Sequence, residues 1–377
     1  MKLDIIENWQ DVRALQPEWN ALLRHSRADT IFLTWEWVEA WRRVAGEQVR
    51  PFVVTVRNEE GTLLGLIPFY LAELRLLHAI PYRTLRIMGD YAAGAEYPGW
   101  IARADREAEV LSLMATTLSA ARAHWDCIWM PNMAGWNGAH QQIIQACQAA
   151  GYYCHLRSRE FSAIDLPDSM DVYMNRLSPK MRSQVRRQTR KILEHDKIAI
   201  VRCRTAEELP TFLDALFELH HRRWKQKGKE GTFRRRPVQA LFYQEFTKIA
   251  LENKWLRLSG LQEDGAFKAV QIGYVYNHVF HSLQEGFDPD YIDGAGIVLR
   301  VKVIEACVAE GIRSYDFLGG VTEHKKRWLA KQRIGYDLFI GHQSLRNRIL
   351  FAKRVWPTGR FLRPVNLPSP VLSASSG

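Results

Sequence analysis

Residues 255–297 read WLRLSGLQEDGAFKAVQIGYVYNHVFHSLQEGFDPDYIDGAGI, and this stretch decides the fold. Three runs rich in apolar and β-branched residues follow one another, and the turn Glu263-Asp264-Gly265 separates the first two. Such runs predict a three-strand antiparallel meander. The meander leads into a glycine-bearing turn, DGAGI, which opens a predicted helix over Ile297–Glu310. The strand RSYDFLG then closes the unit.

The residues before the meander extend this unit. A helix is predicted from Pro179 to about Glu194, because Ser178 is a good N-cap and proline is favoured at the first helical position. A strand, IAIVRCR, and helices over about 206–225 and 237–252 follow it. The second half of the chain therefore combines helices with a mixed sheet.

The first half repeats this order more loosely. Its predicted elements are a helical pattern over Trp9–Leu22, a helix over Trp35–Val44, a hairpin around Asn58–Gly61, a strand TLRIMG, a helix over Glu107–Ala123, a strand CIWM, a helix over Ala139–Ala150 and a strand over Tyr152–Leu156. The order predicts an α/β (α+β, mixed-sheet) protein made by divergent duplication of one unit. We place the domains at 1–163, 164–345 and 346–377, with the first boundary in the stretch AIDLPDSMD.

Composition limits the classes of protein and partner. The five cysteines form no C-x-x-C pair, and no metal-ligand spacing is present, so buried reduced thiols and no metal site are expected. The N-terminus carries acids where a signal peptide needs an apolar stretch, and no apolar run is long enough to span a membrane. A cytoplasmic protein is predicted. Its net charge of +11 favours a phosphate-bearing partner, a nucleic acid or an anionic membrane surface.

The turn Tyr291-Ile292-Asp293-Gly294-Ala295-Gly296 is the sharpest motif. Glycines at a helix N-terminus let a phosphate approach unpaired backbone amides, so the turn is a candidate pyrophosphate site, although an ordinary tight turn would show the same pattern. A dinucleotide fingerprint G-x-G-x-x-G is absent, which argues against NAD.

The stretch Leu256–Trp328 resembles the cofactor-binding core of the GNAT superfamily. That core carries a meander followed by a pyrophosphate loop of pattern Q/R-x-x-G-x-G/A. Gly294 and Gly296 match the glycines of the loop, whereas Tyr291 departs from the usual Gln or Arg. The resemblance implies acetyl-CoA, or another acyl-CoA, as co-substrate. The residues expected to bind it are Tyr291, Asp293, Gly294, Ala295, Gly296 and Ile297.

The whole chain resembles the CelD/BcsL-like group, acetyltransferases associated with cellulose and exopolysaccharide synthesis. The matching stretches are TIFLTWEWVEAW, LRIMGD, SPKMRSQVRRQTRKI, FELHHRRW, GFDPDY and YDFLGGVTEHKKRW. The resemblance implies tandem GNAT-like domains, similar to those of Fem-type transferases, with a degenerate N-terminal copy and the acyl-CoA site in the C-terminal copy.

Three residues are catalytic candidates. The resemblance suggests Lys325, which follows the strand YDFLGG and would meet a developing oxyanion. His324 stands where the family usually has tyrosine, and it is a candidate acid or base. Glu285 is a candidate base beside the thioester. It has the same strand parity as His281, so we expect both to face one side of the sheet. A solvated lysine and a structural glutamate are the alternatives.

Other residues are candidates for the acceptor side. His220 and Arg223 are three apart and share a helix face, which suits an anionic or sugar-like substrate, although plain surface placement is equally compatible. Trp224, Asp316 and Arg182 complete the predicted substrate-binding set. The segment 345–363 is apolar and basic, and it is a candidate for contact with a membrane surface.

These observations favour a coenzyme A-dependent acyltransferase, with acetyl as the expected acyl group. Its acceptor would be an amine or hydroxyl of a saccharide or saccharide-linked intermediate. A Fem-type transferase that uses aminoacyl-tRNA is the enzymatic alternative. A nucleic-acid-binding or scaffold protein is the non-enzymatic one, but no nucleic-acid-binding motif is present. The acceptor, the acyl length and the oligomeric state stay open.

Overall fold

The computed structural model describes residues 1–76, 80–91, 93–291, 294–344 and 347. The chain forms two compact units, of which the first comprises Met1–Arg159 and Ile334–Gly377 and the second comprises Glu160–Arg333. Both units combine helices with mixed sheets, so the predicted α/β class is confirmed. None of the helices in these described ranges has the length and apolar composition needed to cross a membrane.

The first half of the chain supplies seven strands and five α-helices to the described structure. In chain order they are β1 (Lys2–Ile6), α1 (Trp9–Ala14), α2 (Gln16–Arg24), α3 (Trp35–Ala45), β2 (Arg50–Arg57), β3 (Leu63–Leu76), β4 (Ile80–Ile87), β5 (Ile101–Ala102), α4 (Glu107–Ala120), β6 (Cys127–Ala134), α5 (Ala139–Ala149) and β7 (Tyr153–Asp165). The predicted helical pattern over Trp9–Leu22 is divided at Leu15, because Pro17 occupies the first turn of a new helix.

The second half continues with α6 (Met170–Arg176), α7 (Pro179–Leu193), β8 (Ile198–Arg202), α8 (Leu209–Gln226), α9 (Thr232–Arg235), α10 (Pro237–Glu252), β9 (Leu256–Glu263), β10 (Ala266–Tyr276), β11 (Val279–Phe287), α11 (Ala295–Ala309), β12 (Ser314–Gly319), α12 (Glu323–Arg327) and β13 (Lys331–Gly341). The meander β9–β10–β11 and the following α11–β12 pair occur where the sequence predicted them. Strand β13 and helices α6, α9 and α12 were not predicted.

The unit boundaries fall inside strands and not in linkers. Strand β7 runs without a break through the predicted boundary at 163/164, because the Pro167-Asp168 break follows the strand. Residues Ile334–Gly341 of β13 belong to the first unit, where they pair with β6. The predicted third segment, 346–377, lies outside the described residues except for Asn347.

The sheet of the second unit has the strand order β7-β12-β11-β10-β9-β8. Only β11 and β12 are parallel within it, and the other neighbours are antiparallel. Helix α11 lies over an apolar core that it shares with α7 and includes the buried side chains of Val185, Val298, Tyr315 and Trp328. Helices α8 and α10 cover the opposite face, where Phe246 packs against Tyr274 with ring centroids 4.9 Å apart.

Candidate active site

The parallel strands β11 and β12 pair over three positions only. His281 opposite Asp316 is the last pair, after which β11 continues to Phe287 and β12 to Gly319. The backbone of Leu318 has φ +58°, and its N–H donates to the buried carboxylate of Asp316 at 2.7 Å. Because a leucine rarely adopts this conformation, the kink at Leu318 is held by its surroundings. The edge of β11 beyond His281 is therefore released from the ladder with β12.

A β-bulge on β11 changes which side chains share a face. On the partner strand, Ile272 pairs with Gln284 whereas Gly273 pairs with Ser282, so Leu283 is the extra residue. Beyond a bulge of this kind the alternation of side chains is shifted by one position.

The shift separates two residues that the sequence placed together. His281 pairs with Tyr274, which faces α10, whereas Glu285 pairs with Gln271, which faces the core under α11. Tyr274 and Gln271 are three residues apart on one strand and so face opposite sides. The predicted common face of His281 and Glu285 is therefore wrong.

Glu285 lies between two arginines from opposite faces of the sheet. Its Oε1 accepts from Arg223 Nη1 of α8 at 3.0 Å, and its Oε2 accepts from Arg300 Nη2 of α11. Arg223 also stacks over the ring of Phe287, with 4.5 Å from Cζ to the centroid, and Arg300 is buried over Trp328. We call Arg223, Glu285 and Arg300 the charge triad.

The charge triad holds Glu285 ionised. Burial opposes ionisation, but the Arg300 and Arg223 guanidinium groups outweigh it and lower the pKa of Glu285 to about 2. A carboxylate with so low a pKa is a weak base at neutral pH. Its contribution in this geometry is to fix the two arginines and to place a permanent negative charge beside the released edge of β11.

His324 joins the triad through Arg300. Its Nε2 lies 3.1 Å from Arg300 Nη1, and because a guanidinium only donates, Nε2 must be the acceptor. Desolvation of the ring and the charge of Arg300 lower the pKa of His324 to about 4. The imidazole is therefore neutral at pH 7 and carries its proton on Nδ1.

His220 adjoins this cluster from α8. A Cβ on Gly286, the residue after Glu285, would lie 2.6 Å from the backbone nitrogen of His220. The indole N–H of Trp224 donates to His220 Nε2 at 2.9 Å, so the predicted substrate residues His220 and Trp224 contact each other. Burial and then Arg223 lower the pKa of His220 to about 4. His220 is buried and neutral, and it lines the helix side of β11.

Lys325 is bound to the end of β12. Its ammonium donates to the carbonyl oxygens of Phe317, Gly319 and Gly320 at 3.1, 2.7 and 2.9 Å. An ammonium has three N–H donors, and here each has a backbone acceptor. The role at a developing oxyanion stays a prediction, whereas these contacts fix the strand end next to the kink at Leu318.

The predicted pyrophosphate turn lies at the N-terminus of α11. Gly294 is the N-cap with φ +115°, and Ala295, Gly296 and Ile297 form the first turn. Asp293 lies outside the described residues. Tyr291 is directed elsewhere in this arrangement, since its hydroxyl donates to Glu263 Oε1 at 3.0 Å.

A buried amide from α7 faces this turn. A Cβ on Gly294 would lie 2.6 Å from Cδ of Gln188, so only glycine fits between the two helices. Gln188 is 4% exposed, and among the described residues its Oε1 has no hydrogen-bond partner. Its Nε2 would lie 2.8 Å from that Cβ, so the amide N–H group is directed to the helix start.

The structure thus brings together some of the predicted residues. Glu285, Arg223 and His324 form one cluster, and His220 with Trp224 adjoins it. Asp316 supports the strand kink. Arg182 lies apart on α7, where its guanidinium donates to the carbonyl oxygen of Asn175 at 3.2 Å. Among the residues of the described ranges no group of three or more His, Cys, Asp or Glu side chains gathers as metal ligands.

Arg300 is the residue that the sequence interpretation missed. It is 5% exposed and connects Glu285 to His324. A signal was present, because Arg300 interrupts an apolar stretch, GIVLRVKVI, inside a predicted helix. An arginine at such a position is rarely fully buried without a charged partner.

Comparison with known proteins places this geometry in a family context. Residues 179–326 match the family model for the acetyltransferase (GNAT) domain. No curated protein sequence is detectably similar to the chain. The chain therefore contains a GNAT acetyltransferase domain, and this domain includes the charge triad, the start of α11 and His324.

Solved structures share the fold over nearly the whole chain. The crystal structure of FemX aligns with a TM-score of 0.63 and 13% identity, covering 93% of this chain and 99% of that one. The C-terminal domain of a putative lysylphosphatidylglycerol synthetase from Agrobacterium fabrum aligns at 0.52 and 11% identity, covering 91% and 95%. Membership of the CelD/BcsL-like group stays a prediction.

Proposed function

We propose that this chain transfers an acyl group, acetyl in the first instance, from coenzyme A to an amine or hydroxyl of a saccharide or saccharide-linked intermediate. The observation that carries this proposal is the released edge of β11, which leads into the glycine-bearing start of α11 within the GNAT domain. The place of action would be the cytoplasm, in exopolysaccharide or cell-envelope synthesis. The saccharide acceptor, the cytoplasmic location and the biosynthetic context rest on the resemblance of the sequence motifs to the CelD/BcsL-like group.

The pyrophosphate of coenzyme A is assigned to the first turn of α11. The first amides of a helix point outward, and the helix dipole favours an anion there. Gly294, Ala295, Gly296 and Ile297 present this backbone, and Gln188 places its amide nitrogen beside Gly294. A role for Asp293 is kept in the proposal. Tyr291 would act only after leaving Glu263.

In the proposed reaction the acceptor nitrogen or oxygen forms a bond with the thioester carbonyl carbon, and the C–S bond breaks to release coenzyme A as a thiol. The proton lost by the acceptor balances the proton gained by the sulfur. Backbone N–H groups on the released edge of β11 suit the developing oxyanion. His324 Nδ1–H is a second donor, and Lys325 is kept as a candidate although its present role is to hold β12.

The acceptor side of the site is assigned to the charge triad and its α8 neighbours. Glu285 accepts a hydrogen bond from a neutral amine or a hydroxyl, Arg223 and Arg300 keep its carboxylate in place, and Trp224 offers an aromatic face beside His220. Asp316 supports the strand kink, and Arg182 would contact the acceptor from α7. The first unit would bind no coenzyme A, so one cofactor should bind per chain.

The test of this assignment places a negative charge on the first turn of α11 and compares it with a neutral side chain of the same shape. Gly296→Asp and Gly296→Asn add nearly the same side chain, and a Cβ at this position meets only Phe287, at 3.2 Å. An acid in the first turn favours the helix, so Gly296→Asp should fold, yet its charge repels a pyrophosphate. Calorimetric titration with coenzyme A should show at least tenfold weaker binding for Asp than for Asn. Equal affinities would refute the assignment.

Transfer of an aminoacyl group from tRNA is the second candidate. It is favoured by the arginine-rich surface of α7, and FemX shares the fold. The two candidates differ in the salt dependence of donor binding. Many phosphate contacts would weaken tRNA binding on the order of 10³-fold between 50 and 200 mM salt, whereas a single coenzyme A would respond far less.

A further inference from the structure

Helix α7 has two chemically distinct faces. Its inner face buries Met181, Val185, Gln188 and Ile192 at the spacing of one helical stripe. Its outer face is cationic, and a shallow groove along it is lined by Pro179, Arg182, Ser183, Arg186, Arg187 and Arg190. We call these six residues the arginine face.

The charge of the arginine face is almost uncompensated. Over the described ranges, the ion pairs of α7 include only Arg190 with Glu194, at 4.0 Å, and these side chains are 74% and 68% exposed. An exposed pair at that distance contributes little. Arg186 and Arg187 are exposed and form no ion pair with the described residues. Helix α7 carries six Lys and Arg residues and no acid inside its bounds.

The arrangement of these arginines suits an extended anionic surface. Arg182, Arg186 and Arg190 are four residues apart, so their Cα atoms rise by about 6 Å per step on one side of the helix. The groove that they line is shallow and open, so they do not converge on a closed pocket. The same face carries no aromatic side chain on which a nucleobase could stack.

We propose that the arginine face binds the phosphate groups of an anionic lipid surface. Four to eight Lys or Arg residues on an amphipathic helix are the pattern of helices that recognise acidic lipids. Arginine also binds phosphate through two parallel hydrogen bonds, so the row engages lipid head groups directly. Peripheral binding through α7 involves no insertion, since the apolar stripe of the helix is already buried in the core. The proposal shares only Arg182 with the acceptor side of the proposed function, so a variant that changes Arg186 and Arg190 alone tests lipid binding separately.

The expected strength follows from the number of charges. Each Lys or Arg near an anionic lipid surface strengthens binding about fivefold. Removing three should therefore weaken binding about a hundredfold, and removing two about twenty-five-fold. Glutamine is the suitable replacement, because its helix propensity is close to that of arginine; Arg186 and Arg190 are exposed and Arg182 is half-buried.

The experiment is co-sedimentation of the full chain with vesicles. We expect the natural chain to sediment with phosphatidylglycerol–phosphatidylcholine vesicles, not with pure phosphatidylcholine, and to be released by salt. Arg182→Gln/Arg186→Gln/Arg190→Gln should lose about two orders of magnitude, and the double variant Arg186→Gln/Arg190→Gln should be intermediate. The matched control is Arg234→Gln/Arg235→Gln/Arg236→Gln, which removes the same charge from the exposed basic residues at α9.

Several outcomes would overturn the proposal. They are equal sedimentation with both vesicle types, no loss in the α7 variants, and an equal loss in the α9 control. If RNA at equal phosphate concentration releases the protein from the vesicles, and if the α7 variants also lose RNA binding, nucleic acid is the partner instead. Circular dichroism confirms folding, and if the triple variant is unfolded the double variant decides.

Discussion

Replacing Glu285 by glutamine tests the charge triad. The substitution keeps the shape of the side chain but removes the charge that Arg223 and Arg300 share. Arg300, 5% exposed, is then left without a carboxylate partner. Breaking a buried pair by removing one partner typically costs about 3–5 kcal/mol.

The pKa of Glu285 gives an independent magnitude. Its folded value of about 2 lies below the ordinary value of 4.5, and the side chain is 26% exposed. The shift corresponds to about 3 kcal/mol of stability at pH 7. Because the folded pKa is depressed, this contribution is complete above about pH 4.5 and is lost as the pH falls toward 2. At pH 3 about 1.4 kcal/mol should remain.

The assay is urea denaturation of the natural chain and of Glu285→Gln from pH 7 down to pH 3. We expect the difference in unfolding free energy to be about 3 kcal/mol at pH 7 and to shrink on acidification. Acyl transfer by the variant should fall more than its affinity for coenzyme A. A difference below about 1 kcal/mol at pH 7, or one that grows as the pH falls, would refute the reasoning.

Glu310 offers a matched control at the other end of α11. Its carboxylate also accepts from two arginines, Arg202 at 2.7 Å and Arg257 Nε at 2.8 Å, and these hydrogen bonds lower its pKa against the effect of burial. Glu310→Gln should reduce stability without reducing acyl transfer. Equal losses of transfer in both variants would mean that Glu285 acts only through stability.

Two further predictions follow from the same geometry. Lys325→Met removes a charged donor from three carbonyls and should lower the free energy of unfolding by about 1.5–3 kcal/mol. The control Lys326→Met loses an exposed ion pair with Glu323 and should lower it by less than about 0.5 kcal/mol. Unchanged stability of Lys325→Met would contradict the strand-holding role. NMR titration of the histidine rings should give His220 and His324 pKa values near 4. Because these pKa values lie below the ordinary value of 6.5, both residues should lower the free energy of unfolding as the pH falls below 6.5. Ring resonances that titrate near 6.5 would show that the rings are solvated.

The meander and the start of α11 could be predicted because local chemistry specifies them. The turn at Asp264 and Gly265, both with positive φ, and the glycine N-cap at Gly294 are conformational requirements that residue types reveal. The start of α7 was predictable for a similar reason, since Ser178 Oγ accepts from Met181 N. Such features depend on a few consecutive residues.

The site depends on features that no local pattern reveals. The bulge at Leu283 is fixed by pairing with β10, so the strand's own alternation assigned Glu285 to the wrong face. The three acceptors of Lys325 are set by the kink at Leu318, which is an unusual conformation for leucine. Whether a cation meets a ligand or a backbone carbonyl is decided by tertiary packing.

The bulge at Leu283 also makes the length of β11 part of its chemistry. Deleting one residue there would leave the composition of the strand almost unchanged, yet it would restore regular alternation and turn Glu285 away from Arg300. An insertion elsewhere on the strand could do the same. An alignment that gaps this strand by a single position therefore exchanges its core-facing and helix-facing residues and transfers the wrong ones to a relative.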